Sequence, residues 1–200
     1  MDKNTALGIS IVCHPVFVNL ITFTLMLQTH PYLKAGLSGE AKWFYTLFIF
    51  ITTSMIPLFV VVIRKALGYT SSIMLDNSDD RHIPYITAAF AYLFGYYLFG
   101  TIGSPKPIQA FMLAMATITI TLLVVNFFTK ISAHATACGA LCAVAIKLQP
   151  LALINLSLII PILFVISGFI SSARLILQAH DLKQIYAGFL TGFFIVMLLL

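Results

Sequence analysis

Ile108-Gln109-Ala110-Phe111-Met112-Leu113-Ala114-Met115-Ala116-Thr117-Ile118-Thr119-Ile120-Thr121-Leu122-Leu123-Val124-Val125-Asn126-Phe127-Phe128 carries no charged residue. About 20 helical residues cross the hydrocarbon core of a bilayer, so this stretch reads as one span. Six more apolar segments flank it, at about 7–27, 43–63, 84–103, 132–148, 151–170 and 183–200. Those at 132–148 and 183–200 are short for a span, so six or seven membrane helices are expected. Pro84 suits the first turn of its helix, where a missing N–H costs nothing.

Composition agrees. The chain is 60% hydrophobic and 8% charged over 200 residues, against about 25% charged in soluble domains. Its mean hydropathy is +1.04. The expected fold is therefore an all-α integral membrane bundle forming a single transmembrane domain over residues 1–200. The first segment contains His14-Pro15 and lacks a small-x-small cleavage site, so it is expected to be a retained helix. The net charge of +5 is dispersed, with no basic run. That pattern fits loop charge and an anion site, not nucleic-acid binding. Cys13, Cys138 and Cys142 all fall in apolar segments and read as packing residues.

With seven helices, the connections at 64–83, 129–131 and 171–182 return to the side of the N-terminus. Arg81, Lys130, His134, Arg174 and His180 then share one leaflet. Seven cations on that side (Lys3, Arg64, Lys65, Arg81, Lys130, Arg174, Lys183) face four on the other (Lys34, Lys42, Lys106, Lys147). Setting aside Arg81, Lys130 and Arg174 as groups serving chemistry leaves four against four, so charge bias leaves the orientation open. The polar run Asp76-Asn77-Ser78-Asp79-Asp80-Arg81 lies in the first of these connections.

Ionisable groups are costly in an apolar chain and point to function. Two clusters stand out: Lys130-Ile131-Ser132-Ala133-His134, and Arg174 with His180 six residues on. A phosphate ester is a concentrated anion. Its cleavage needs positive charge, hydrogen-bond donors, a nucleophile and an acid for the leaving oxygen. Arg174 offers a planar fork for phosphate oxygens. Ser132 and Ala133 open a helix, whose free N–H groups favour an anion. Each residue also has a plainer reading. Arg174, Lys130 and Lys183 serve as interfacial anchors, His14 as a hydrogen-bonding group at a kink, His30 as an exposed loop residue. His82 could line the site. Gly188-x3-Gly192 permits close helix packing, and Lys147 can snorkel.

The ordered set resembles the integral-membrane type 2 phosphatidic acid phosphatases, relatives of the vanadium haloperoxidases. Arg174-x5-His180, continued by Ile185-Tyr186-Ala187-Gly188 and Gly192, resembles that family's third motif. Ile131-Ser132-Ala133-His134 is similar to its second, and Arg81-His82-Ile83-Pro84 to the end of its first. The resemblance covers about residues 81–192. It implies that His180 is a nucleophile forming a phosphohistidine and that His134 is the general acid. It also implies that Arg174 holds the phosphate, with Arg81 and Lys130 as further phosphate contacts. No metal or other cofactor is required by that mechanism.

Three departures matter. Gln184 stands where the family has an aspartate behind the nucleophile; it can still orient the ring through its carbonyl but adds no charge. In serine proteases, Asp to Asn behind the catalytic histidine costs about 10⁴ in rate. Ala133 replaces a glycine, and the first motif's lysine is missing. The expected activity is hydrolysis of a lipid phosphate or diphosphate, or transfer of its phosphate, in a membrane of bacterial inner-membrane type. The expected partners are that substrate and the surrounding lipids, with no prediction of oligomeric state. A catalytically weak lipid-phosphate-binding relative and a small transporter or channel are the alternatives.

Overall fold

The computed structural model describes residues 1–70, 75, 77–152 and 154–200. Asp76 of the polar run lies outside them. The elements are all helical: α1 (Lys3–Val12), α2 (Pro15–Thr29), α3 (Pro31–Gly36), α4 (Gly39–Phe50), α5 (Ile56–Ala66), α6 (His82–Thr101), α7 (Lys106–Asn126), α8 (Ala133–Leu148), α9 (Ile159–Ile176) and α10 (Leu182–Leu199). One π-turn, Ile51–Met55, joins α4 to α5. Among the described residues, five helices are long and apolar enough to cross a membrane, α4 with α5 counting as one. The pair α1 and α2, bent by 49°, makes a sixth if it is one span. The 16-residue α8 is the shorter apolar helix.

The sequence segments correspond to these helices, with two corrections. The first segment is not one helix. It breaks at Cys13 and His14, because Pro15 cannot supply the N–H that a continuous helix needs, and the His14 ring nitrogen caps α2 by accepting from the Val16 N–H. The sixth segment is displaced. α9 begins at Ile159, not near 151, after the polar Gln149-Pro150 and Asn155 break the helical run. It ends at Ile176, so Arg174 lies in its last turn and not in a loop.

α8 is the axis of the bundle. His134 to Ala145 are all buried, although a helix on the rim would show an exposed face. Its run of Ala, Gly and Cys is narrow enough for neighbours on every side. α10 packs against it through Gly188 and Gly192. A Cβ on Gly188 would stand 2.6 Å from the Ser132 carbonyl oxygen, and one on Gly192 would overlap the Thr136 carbonyl. Gly139 of α8 answers with the same intimacy toward the Phe189 carbonyl. The Gly188-x3-Gly192 spacing is thus a close-packing stripe, as its sequence implies. Lys147, near the end of α8, donates to the Met197 carbonyl at 2.7 Å. Cys138 and Cys142 are buried in the same packing.

The outer surface is apolar, with Phe90, Phe128, Val165 and Leu198 more than half exposed. Such a surface suits lipid and not water. Gly192→Leu forces α8 and α10 apart. Overpacking of this kind costs about 1–3 kcal/mol, so thermal unfolding in detergent should shift clearly downward. An unchanged midpoint would contradict the central role of this contact.

Candidate functional site

Three chain connections meet at one end of α8. Arg81 sits just before α6, His134 in the first turn of α8, Arg174 in the last turn of α9, and His180 between α9 and α10. All four side chains line a single cavity of about 150 Å³ and are nearly sealed from outside. Four of the residues that helix parity groups on one side thus lie around one cavity. Ala133 also lines the cavity, and so does His14.

The two histidines named from sequence have definite orientations. His180 Nδ1 lies 2.9 Å from Gln184 Oε1. A carbonyl oxygen only accepts, so Nδ1 carries the proton and Nε2 keeps its lone pair. The four-residue spacing matters: Gln184 is in the first turn of α10, while the Asp181 carboxylate is spent capping that helix through the Gln184 N–H at 2.8 Å. Burial holds the His180 imidazole down to about 4, below the usual 6.5. The Gln184 hydrogen bond opposes this shift, and the positive charges of Arg81, Arg174 and Lys130 add to it. His134 Nε2 donates to the Ser10 carbonyl at 3.0 Å. That leaves its Nδ1 to serve whatever enters the cavity.

The remaining residues divide. Arg81 lines the cavity while its Nε donates to the Leu75 carbonyl at 2.7 Å, and its guanidinium stands at the Tyr85 hydroxyl. Lys130 is close enough to His180 to act on it through charge, but it is not in the cavity wall. Ser132 is placed differently from its expected role. Its backbone N–H donates to the Gln184 carbonyl at 3.2 Å, and its hydroxyl accepts from the Ala135 N–H at 3.3 Å. Ser132 is therefore a cap and a strut to α10, not an anion donor. His82 stacks on Phe127, with ring centroids 4.6 Å apart, and does not line the cavity. His30 is half-buried between α2 and α3, not exposed.

His14 was legible only as a kink residue. The kink exists, but the same ring packs edge-on against His134, centroids 5.4 Å apart. Nothing in sequence links two histidines 120 positions apart, so only the fold brings them together. Among the described residues, no three His, Cys, Asp or Glu side chains are grouped to hold a metal. The chain matches no family model, no curated protein and no solved structure.

The Gln184 contact makes a test. By NMR, the His180 ring should titrate near 4. Gln184→Asp puts a carboxylate on Nδ1, which favours the imidazolium and raises that midpoint. A wild-type midpoint at or above the ordinary 6.5 would contradict the buried, glutamine-bound geometry.

Proposed function

We propose that this protein is a membrane lipid phosphatase, releasing phosphate from a lipid phosphate or diphosphate through a phosphohistidine on His180. The observation that carries the reading is convergence. His134, Arg174 and His180, singled out in the sequence as ionisable groups in an apolar chain and by resemblance to family motifs, line one cavity large enough for a phosphate group, with Arg81 beside them. Residues acting as lipid-facing anchors would have pointed outward.

The chemistry follows from the hydrogen bonds. His180 Nε2, with its lone pair available, attacks phosphorus and forms the N–P bond. The P–O bond to the leaving group breaks. His134, neutral with Nε2–H on Ser10, takes onto Nδ1 the proton that a phosphate monoanion brings and passes it to that oxygen. Water then attacks the phosphohistidine, His134 takes up the water's proton, and the N–P bond breaks to return the neutral His180 ring. An alcohol in place of water would make the step a phosphate transfer. Arg174 and Arg81 hold equatorial oxygens, where charge gathers in the transition state. Gln184 keeps the His180 ring in the attacking tautomer, and the imidazole stays neutral near pH 7 because burial disfavours its charged form.

The resemblance to type 2 phosphatidic acid phosphatases supports the same roles, and a fold of that type is part of this proposal. Gln184 also favours a second reading, a relative that binds lipid phosphate with little turnover. A glutamine orients the ring but does not stabilise the positive charge that His180 gains on attack.

One experiment separates the two. The purified protein is offered a panel of lipid phosphates and diphosphates, and phosphate release is followed. His180→Ala should abolish release, and Arg174→Lys should lower kcat/KM by about 10²-fold or more, since a lysine loses the bidentate grip. Gln184→Asp should raise kcat. Release that persists in His180→Ala rules out the nucleophile. Absence of release from every substrate, with phosphate binding retained, favours the second reading.

A further inference from the structure

The cavity does not end at the phosphate cluster. It continues between α6, α7 and α8, with α2 and α5 on its far side. On α6 its wall is Pro84, Tyr85, Ala88 and Tyr92, on successive turns inward from Arg81. From Arg81 to Tyr92 is eleven residues, or about 16 Å of helix. Leu122, Ile118 and Met115 of α7 descend beside them in the opposite direction, and Ala137 and Ala140 continue the α8 wall. A volume of about 150 Å³ is what accommodates a benzene-sized molecule in an apolar protein core. Drawn out over this length, it is a narrow slot.

The slot is also short of donors directly beneath the cluster. The Thr136 hydroxyl donates to the Ser132 carbonyl at 2.9 Å, that of Thr119 to Met115 at 2.8 Å, and that of Thr53 to Ile49 at 2.8 Å. Each has therefore spent its only proton on its own helix. The Tyr85 hydroxyl accepts from Arg81 beside the cluster and the Tyr92 hydroxyl accepts from Asn19 at the floor, so the protons these two hydroxyls keep lie at the two ends of the slot. Between the cluster and that floor, Pro84, Ala88, Leu122 and Ala137 offer only hydrocarbon. Ester carbonyls placed there would lose their hydrogen bonds to water and gain none, a cost of about 1–3 kcal/mol each.

We infer that the slot selects phosphates whose oxygen is joined directly to one hydrocarbon chain, alkyl or isoprenyl, and rejects phosphates of diacylglycerol. The inference rests on the phosphate reading of the cluster. The first carbons of the chain thread past Ala88 and Ala137, while the rest leaves between helices into lipid. A glycerol diester fails twice: two chains exceed the width, and two carbonyls find no donor.

The test is binding, so that it does not depend on turnover. Full-length protein in detergent is titrated calorimetrically with methylphosphonate, hexylphosphonate, geranylphosphonate and the phosphonate analogue of dihexanoylglycerol phosphate. The hexyl and geranyl compounds should bind at least tenfold more tightly than the other two. Preference for geranyl over hexyl would assign the chain as isoprenyl, and the reverse as alkyl. Ala88→Leu fills the slot and should reduce hexyl and geranyl affinity to that of methylphosphonate, whose own binding stays unchanged. Leu122→Ala widens the slot at the same depth and should improve the diacyl analogue, which guards against a misfolded Ala88 variant. Equal affinity for the hexyl and diacyl compounds in the wild type overturns the inference, as does an Ala88→Leu protein weakened toward all four while still folded. Chain selectivity without phosphate release from any ester leaves the slot standing and sinks the phosphatase reading. Release without chain selectivity does the opposite, and no binding by any phosphonate sinks both.

Discussion

The structure depends on how closely α10 can approach α8. Gly188 and Gly192 let the α10 backbone rest on the carbonyls of Ser132 and Thr136, and Gly139 returns the contact toward Phe189. In lipid there is no hydrophobic drive between helices, so close van der Waals packing and polar contacts must hold them. The consequence reaches the site directly. The Ser132 N–H reaches the Gln184 carbonyl only because the helices touch. That bond fixes the start of α10 against the start of α8. It thereby fixes Gln184, whose side chain holds the His180 ring, beside the helix that carries His134. Packing and chemistry share one contact.

The polar groups are arranged by the same economy. A helix broken at His14-Pro15 exposes backbone carbonyls, and the Ser10 carbonyl from the broken α1 accepts from His134. The π-turn Ile51–Met55 precedes Pro57, whose ring disfavours a regular turn. Ser54 in that turn donates to the Val16 carbonyl of α2 at 2.9 Å. Both irregular segments adjoin the cavity, as π-turns often adjoin functional sites. Breaks in helices here serve as hydrogen-bonding surfaces for α8 and α2.

Much of this was legible in the sequence, and the rest failed for identifiable reasons. Uninterrupted apolar length marked the helices, because no water in lipid satisfies a backbone outside a helix. Arg174, His180 and Gln184 were picked out by resemblance to a family motif, and they lie close together because short spacing along one chain survives folding. The start of α9 was misread because apolar residues between 151 and 158 are as frequent as in the helix itself. The centrality of α8 was signalled by its alanines, glycine and cysteines, yet shortness made it look marginal. Ser132 was read as an anion donor because a helix start has free N–H groups; which of them a neighbouring helix takes is a tertiary fact. His14 and the apolar slot beneath the cluster arise from contacts between distant segments and leave no local trace.

The central claim is that His180 becomes covalently phosphorylated. A phosphohistidine is stable in alkali, so the protein is mixed with a phosphorus-labelled lipid phosphate, quenched in base and digested, and the labelled peptide is sequenced by mass spectrometry. The account predicts one phosphate on His180, absent in His180→Ala and longer-lived in a His134→Ala protein, which cannot take the proton from attacking water. Label on another residue, or turnover with no covalent phosphate at any time after mixing, would contradict it.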